Sequence, residues 1–128
     1  MSIKVQGFKS SDLLDQVNSQ LTNDQGFRKN AIHTVGAAIV FNVKNKNGQH
    51  QAWVLDLKDS GKISRIDPTD VKKYDAQIIT SDANLKKLIA GKASAQALFM
   101  SGRLKLRGDV AKAASVESIF KQKVKAKL

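Results

Sequence analysis

The first apolar pattern along the chain is helical. In residues 11–24, SDLLDQVNSQLTND, the side chains of Leu13, Leu14, Val17 and Leu21 fall on one stripe. Ser10 or Ser11 is the expected N-cap, with Asp12 near the positive end of the helix dipole. The period then shortens. Residues 33–43, HTVGAAIVFNV, carry Val35, Ile39 and Phe41 on one parity and Ala38 and Val40 on the other, which predicts a central strand buried on both faces. The polar cluster 44–49, KNKNGQ, predicts a turn, and 50–57, HQAWVLDL, resumes strand character, so the two strands form a hairpin. Asp59-Ser60-Gly61 marks the next turn, and 62–67, KISRID, is a short third strand that stops at Pro68, which has no N–H to donate to a ladder. A fourth strand is expected over 74–80, YDAQIIT.

Helical spacing returns with Leu85, Leu88 and Ile89, behind Ser81 or Asp82 as cap and ahead of Gly91 as terminator. Ser94 caps a second short helix carrying Ala97, Leu98 and Phe99. Residues 102–108, GRLKLRG, then alternate cleanly: Leu104 and Leu106 face inward, while Arg103, Lys105 and Arg107 face water. Asp109 caps a final helix in which Val110, Ala113, Val116 and Phe120 recur at helical spacing beside Ile119, and 121–128, KQKVKAKL, is expected to fray into a tail. The order of elements predicts an α+β domain built on one mainly antiparallel sheet of five strands.

Composition narrows the class. A chain of 128 residues supports one core, so a single domain over 1–128 is expected. At 41% hydrophobic and 26% charged the chain is globular rather than disordered. The absence of Cys removes disulfides, thiol nucleophiles and thiolate zinc sites, and fits a reducing compartment. The uncharged stretch 31–43 contains His33, Thr34 and Asn42 and falls well short of the roughly 20 apolar residues of a spanning helix. The opening MSIKVQGFKSS has no apolar signal core, so a soluble intracellular protein is expected.

Charge is the one extreme value: 22 Lys and Arg against 11 Asp and Glu give +11, concentrated in the second half, where from Arg103 onward the acids are Asp109 and Glu117 alone. Such a field attracts nucleic acid, a membrane surface, or a ligand carrying phosphate or carboxylate. The row Arg103, Lys105, Arg107 has the spacing to follow phosphates, which makes a basic nucleic-acid-binding protein the rival reading. That strand carries no aromatic residue on which a base would stack, and Trp53 and Phe41 lie in runs that read as buried, so nucleic acid is the weaker partner.

Catalytic patterns are missing. There is no G-x-S-x-G elbow, and His33 and His50 read as structural residues at strand starts. The segment 56–67 puts Gly61 where a calcium loop needs it, but Lys58 and Ser60 stand at ligand positions, so it reads as a hairpin turn. No phosphate-cradling glycine motif aligns, and a single Glu with scattered Asp offers no acid–base pair. No catalytic residue, metal site or cofactor is expected. The tripeptide Ala126-Lys127-Leu128 matches the small-basic-leucine pattern of a peroxisomal address, on a targeting tail from about residue 121.

Three segments, A-W-V-L-D-L-K-D-S-G-K (52–62), D-A-N-L-K-K-L-I-A-G-K (82–92) and A-L-F-M-S-G-R-L-K-L-R-G-D (97–109), together resemble the sterol carrier protein 2 family of non-specific lipid-transfer proteins, from about Ser10 onward. The resemblance implies a five-stranded sheet covered by helices, with a hydrophobic tunnel between them for fatty acids, fatty acyl-CoA, phospholipids and sterols, and no enzymatic activity. It implies peroxisomal localisation and an import receptor that reads the Ala126-Lys127-Leu128 ending. The lining candidates are Leu14, Val17 and Leu21 from the first helix and Ile39, Phe41, Trp53, Leu55 and Ile78 from the sheet. Leu85, Leu88, Ile89, Leu98, Phe99, Leu104, Leu106 and Phe120 complete the set, each equally compatible with ordinary core packing. Ala90, Ala93, Ala95 and Ala97 leave space above the sheet or simply favour helix. The family's first helix is credited with membrane contact, whereas here it carries Asp12, Asp15 and Asp24 and no basic residue. Contact with anionic membranes and head groups is therefore expected at Arg103, Lys105 and Arg107 and the tail.

Overall fold

A computed structural model describes residues 3–70 and 74–126, with side chains described as far as Lys121. The elements follow in the order α1 (Ser10–Asn23), α2 (Gln25–Val35), β1 (Ala38–Lys44), β2 (His50–Asp56), β3 (Lys62–Ile66), β4 (Ala76–Ser81), α3 (Asp82–Ile89), α4 (Ala95–Met100), β5 (Leu104–Gly108) and α5 (Val110–Ala126). The strands form one sheet in the order β3-β2-β1-β4-β5. Three of its pairings are antiparallel and one, β1 with β4, is parallel. Asp75 sets the parallel register: its carboxylate accepts the Ala38 N–H at 2.9 Å and its own N–H donates to the Ala38 carbonyl at 3.1 Å.

Inward-facing strand residues and the apolar stripes of the helices make one core. Phe41, in the middle strand, lies opposite Trp53 on one side and Ile78 on the other, and its ring meets Phe120 of α5 at 6.0 Å between centroids. The opposite face of the sheet carries a smaller cluster, Val40, Ala52 and Val54, with Ala38, Ile66 and Tyr74 packed against it.

Several local expectations hold. Ser81, Ser94 and Asp109 each accept the expected capping N–H, from Asn84, Ala97 and Lys112. Others are corrected. Residues 33–35 are not strand: they close α2, an eleven-residue helix that the reading of 33–43 as a strand conceals. Asp24 starts that helix by accepting the Phe27 N–H at 3.0 Å, and Gly36 ends it at φ +61°, a conformation open to glycine at little cost. His33 accordingly sits in the last helical turn, while His50 does begin a strand. Neither Ser10 nor Ser11 caps α1. Both lie inside the helix and are buried, and the N–H groups of Lys9 and Ser10 are instead accepted at 2.9 and 2.8 Å by the carboxylate of Asp82 in α3. Val110 is 49% exposed despite its place on the apolar stripe of α5. That helix continues to Ala126, past the point where a frayed tail is expected.

Candidate functional site

The apolar candidates converge. Fourteen of the sixteen lie in a single buried cluster between the sheet and the helices, from Leu14, Val17 and Leu21 on α1 to Phe120 on α5. Leu106 is half-buried at the edge of that cluster, where it pairs with Ile78. Phe99 is the exception at 51% exposure. Helix α4 is six residues long and buries one side chain, Leu98, so the residue after it turns outward beside Met100, which is 77% exposed. Of the alanines, Ala90, Ala93 and Ala95 are half-buried and Ala97 faces solvent.

Trp53 holds the end of the cluster beneath the amino-terminal segment. Its indole N–H donates to the Ile3 carbonyl at 3.0 Å, and Phe8 meets its ring edge-on at 5.7 Å. Segment 3–9 is tied down at further points: Asp15 accepts the Ile3 N–H, the Ser11 hydroxyl oxygen accepts the Val5 N–H, and Asn45 donates to the Gly7 carbonyl. Above Phe8 a cleft of about 1010 Å³ opens between this segment, the β1–β2 turn and α3. Phe8 thus belongs both to the cleft wall and to the buried cluster. The cleft escapes a reading of the sequence because its walls come from three separate stretches of chain. The available signal is the lysines that recur in each of them.

Arg103, just ahead of β5, and Lys105 and Arg107 on it are all exposed, along one edge of the sheet. Arg107 also borders a shallower hollow of about 440 Å³ on the helix-free face, beside Tyr74 and Gln77. Of the tripeptide 126–128, Lys127 and Leu128 lie outside the described residues, and Ala126 is described by its backbone alone. No group of three or more His, Asp or Glu suited to a metal occurs among the described residues, and none of their helices is long and apolar enough to cross a membrane.

Asp56 shows how the turns are held. Burial raises its pKa, but the N–H groups of Asp59, Lys58 and Ser60 and the Ser60 hydroxyl, all donating to its carboxylate, together bring it below the usual 3.8. These bonds fix the β2–β3 turn at the far end of the sheet from the cleft.

The model of the SCP-2 sterol transfer family matches residues 10–121. The oleate-induced peroxisomal protein POX18 of Candida maltosa is 40% identical over 122 residues, covering 95% of this chain and 94% of its own length. A fatty acid-binding protein of Yarrowia lipolytica is 42% identical over 123 residues, covering 94% of this chain and 95% of its own. The solved apo form of sterol carrier protein 2 from Yarrowia lipolytica shares the fold, with a TM-score of 0.83 at 41% identity over 94% of this chain and 96% of that one.

Proposed function

This chain belongs to the SCP-2 sterol transfer family, and we propose that it is a single-domain intracellular carrier that takes long-chain fatty acids and fatty acyl-CoA into the apolar layer between sheet and helices. Phospholipids and sterols are secondary ligands in this reading, and no catalytic step is involved. The observation that carries it is the gathering of fourteen apolar candidates from eight elements into one layer, whose member Phe8 also lines an open cleft. The name of the Yarrowia relative, a fatty acid-binding protein, supports the ligand class.

Magnitudes identify the force that holds the ligand. Burying about 15 methylenes at roughly 0.8 kcal/mol each offers on the order of 12 kcal/mol before association and ordering costs. An exposed Lys or Arg at the head group adds about 0–1 kcal/mol. Affinity therefore follows chain length, and the basic surface governs encounter. Arg103, Lys105 and Arg107 along the β5 edge of the sheet are the proposed contact with anionic membranes, so reversing their charge slows transfer from anionic vesicles and leaves transfer from neutral ones unchanged. Equal transfer rates from both vesicle types at low salt would refute that role.

The carrier reading is tested with a fluorescent fatty acid excited by energy transfer from Trp53. A saturable signal, displaced by unlabelled palmitate and palmitoyl-CoA, is expected, together with lipids identified by mass spectrometry in extracts of the purified protein. No saturable signal and no extractable lipid overturn it. Peroxisomal residence is supported by the name of the Candida relative and by the Ala126-Lys127-Leu128 pattern, which would engage the import receptor. A fluorescent fusion placed ahead of the chain should be punctate in the cell, and diffuse once the tripeptide is deleted.

A further inference from the structure

The cleft above Phe8 is far more basic than the charge distribution along the chain suggests. Its walls carry Lys9 from the amino-terminal segment, Lys44 from the end of β1, Lys46 from the β1–β2 turn, and Lys86, Lys87 and Lys92 from α3 and the residues after it. Against these six stand Asp12 and Asp82, an excess of four positive charges in a space of about 1010 Å³. The carboxylate of Asp82 is itself committed, since its two oxygens accept the backbone N–H groups of Lys9 and Ser10. None of the six ammonium groups has an ion-pair partner among the described residues. Half of the lysines come from the first half of the sequence, whose net charge is small, and the fold brings them beside the α3 lysines.

We infer that this cleft seats the clustered phosphates of a coenzyme A thioester, the diphosphate and ribose phosphate lying among the six lysines. The inference rests on the carrier reading and assigns the head-group end of the same site. Size supports it: small-molecule sites span roughly 300–1,000 Å³, and this cleft stands at the top of that range, where a nucleotide-sized head fits. Continuity supports it as well. Phe8 lines the cleft and packs on Trp53, so a head held by the lysines rests against the edge of the apolar cluster that would take the acyl chain. Flexible, unpaired ammonium groups on several sides suit a set of phosphates spread in space better than the single carboxylate of a fatty acid.

The test compares two charge-reversal pairs of equal net effect. Lys44→Glu with Lys87→Glu alters the cleft, whereas Lys58→Glu with Lys62→Glu alters exposed positions at the opposite end of the β1–β2 ladder. Calorimetric titration with palmitoyl-CoA, palmitate and free coenzyme A is expected to show a loss of about tenfold or more for palmitoyl-CoA in the cleft pair alone, with palmitate held within about twofold. Free coenzyme A should bind the natural protein weakly and the cleft pair not at all. Equal losses in both pairs, or no loss in either, overturn the site and leave the carrier standing. So does a cleft pair that detaches from phosphatidylserine vesicles yet keeps its affinity for palmitoyl-CoA, which would assign the lysines to membrane head groups. If the natural protein binds no palmitate, the carrier reading falls, and the free coenzyme A arm still decides the phosphate site.

Discussion

Replacing Asp82 with alanine tests whether α1 is held by a residue more than seventy positions away in the chain. In the folded protein the carboxylate closes two bonds at 2.8 and 2.9 Å to the first N–H groups of α1, and it also occupies the first turn of α3. Loss of an N-cap acceptor costs about 0.5–2 kcal/mol. The Ser10 N–H, partly buried, is then left short of a partner, which places the cost toward the top of that range. Removing a favourable charge from the start of α3 adds about 0.3–1 kcal/mol. The expected total is about 2–3 kcal/mol, a large part of the roughly 5–15 kcal/mol that stabilises an ordinary domain.

The assay is urea unfolding followed by Trp53 emission, which reports the core end beneath segment 3–9. For a chain of this size a loss of 2–3 kcal/mol lowers the melting temperature by roughly 6–10 °C, and the urea midpoint falls while the m-value stays constant. Asp12→Ala is the control, because Asp12 is an exposed acid in the first turn of α1, where only the dipole term of about 0.3–1 kcal/mol is at stake. If Asp82→Ala lies within about 0.5 kcal/mol of Asp12→Ala, the long-range cap carries no weight and the reasoning fails.

Ser10→Ala separates the two accounts of how α1 begins. A true cap would cost about 1 kcal/mol on removal, but the Ser10 hydroxyl is buried with no hydrogen-bond partner among the described residues, so the substitution should be neutral or stabilising by up to about 1 kcal/mol in the same unfolding assay. Gly108→Ala should destabilise by about 2–4 kcal/mol or prevent folding, since at φ +78° its Cβ would stand 2.5 Å from the Asp75 carbonyl oxygen, at the join of β4 and β5; unfolding within 1 kcal/mol of the natural protein would contradict this. For Asp56 the folded-state pKa lies below the unfolded value of 3.8, so its stabilising contribution is complete above that pH and is lost as the pH falls through the lower folded value. The stability advantage of the natural protein over Asp56→Asn should therefore shrink as the pH falls below 3.8, and an offset that stays constant through the acid range would be inconsistent with the turn geometry.

Periodicity carried most of the fold because most elements are amphipathic over their own length. The alternation of Leu104 and Leu106 with Arg103, Lys105 and Arg107 marks β5, and Ser81, Ser94 and Asp109 cap their helices through bonds to residues three positions on. The failures have two causes: a neighbouring pattern that masks a local one, and dependence on partners distant in sequence. Helix α2 buries only Ala31 and Val35 fully, and its β-branched end runs on toward β1, so the strand signal of 38–43 swamps it although Asp24 and Gly36 bracket it. Phe99 fails because Leu98 alone anchors a six-residue helix, leaving the phase to the packing around it. The cleft fails most completely, since its six lysines are divided among three separate stretches of chain, none of which holds more than half of them.

The acids explain why the net charge of +11 remains available to a ligand. At least eight of the eleven carboxylates accept a backbone N–H from the described residues: Asp82 and Asp24 at the starts of α1 and α2, Asp75 at β1, Glu117 at α4, Asp109 at α5, Asp56 and Asp67 in turns, and Asp15 on Ile3. Bonds of this kind are short-ranged and little screened, whereas the lysines of the cleft repel one another across solvent. Raising salt from about 0.1 to 1 M shortens the screening length from roughly 10 to 3 Å, which relieves that repulsion without breaking the caps. The urea midpoint should therefore stay constant or rise over this range, while palmitoyl-CoA binding weakens several-fold and palmitate binding changes little. A midpoint that falls together with palmitoyl-CoA affinity would mean that ion pairs between acids and lysines hold the fold, contrary to this division of roles.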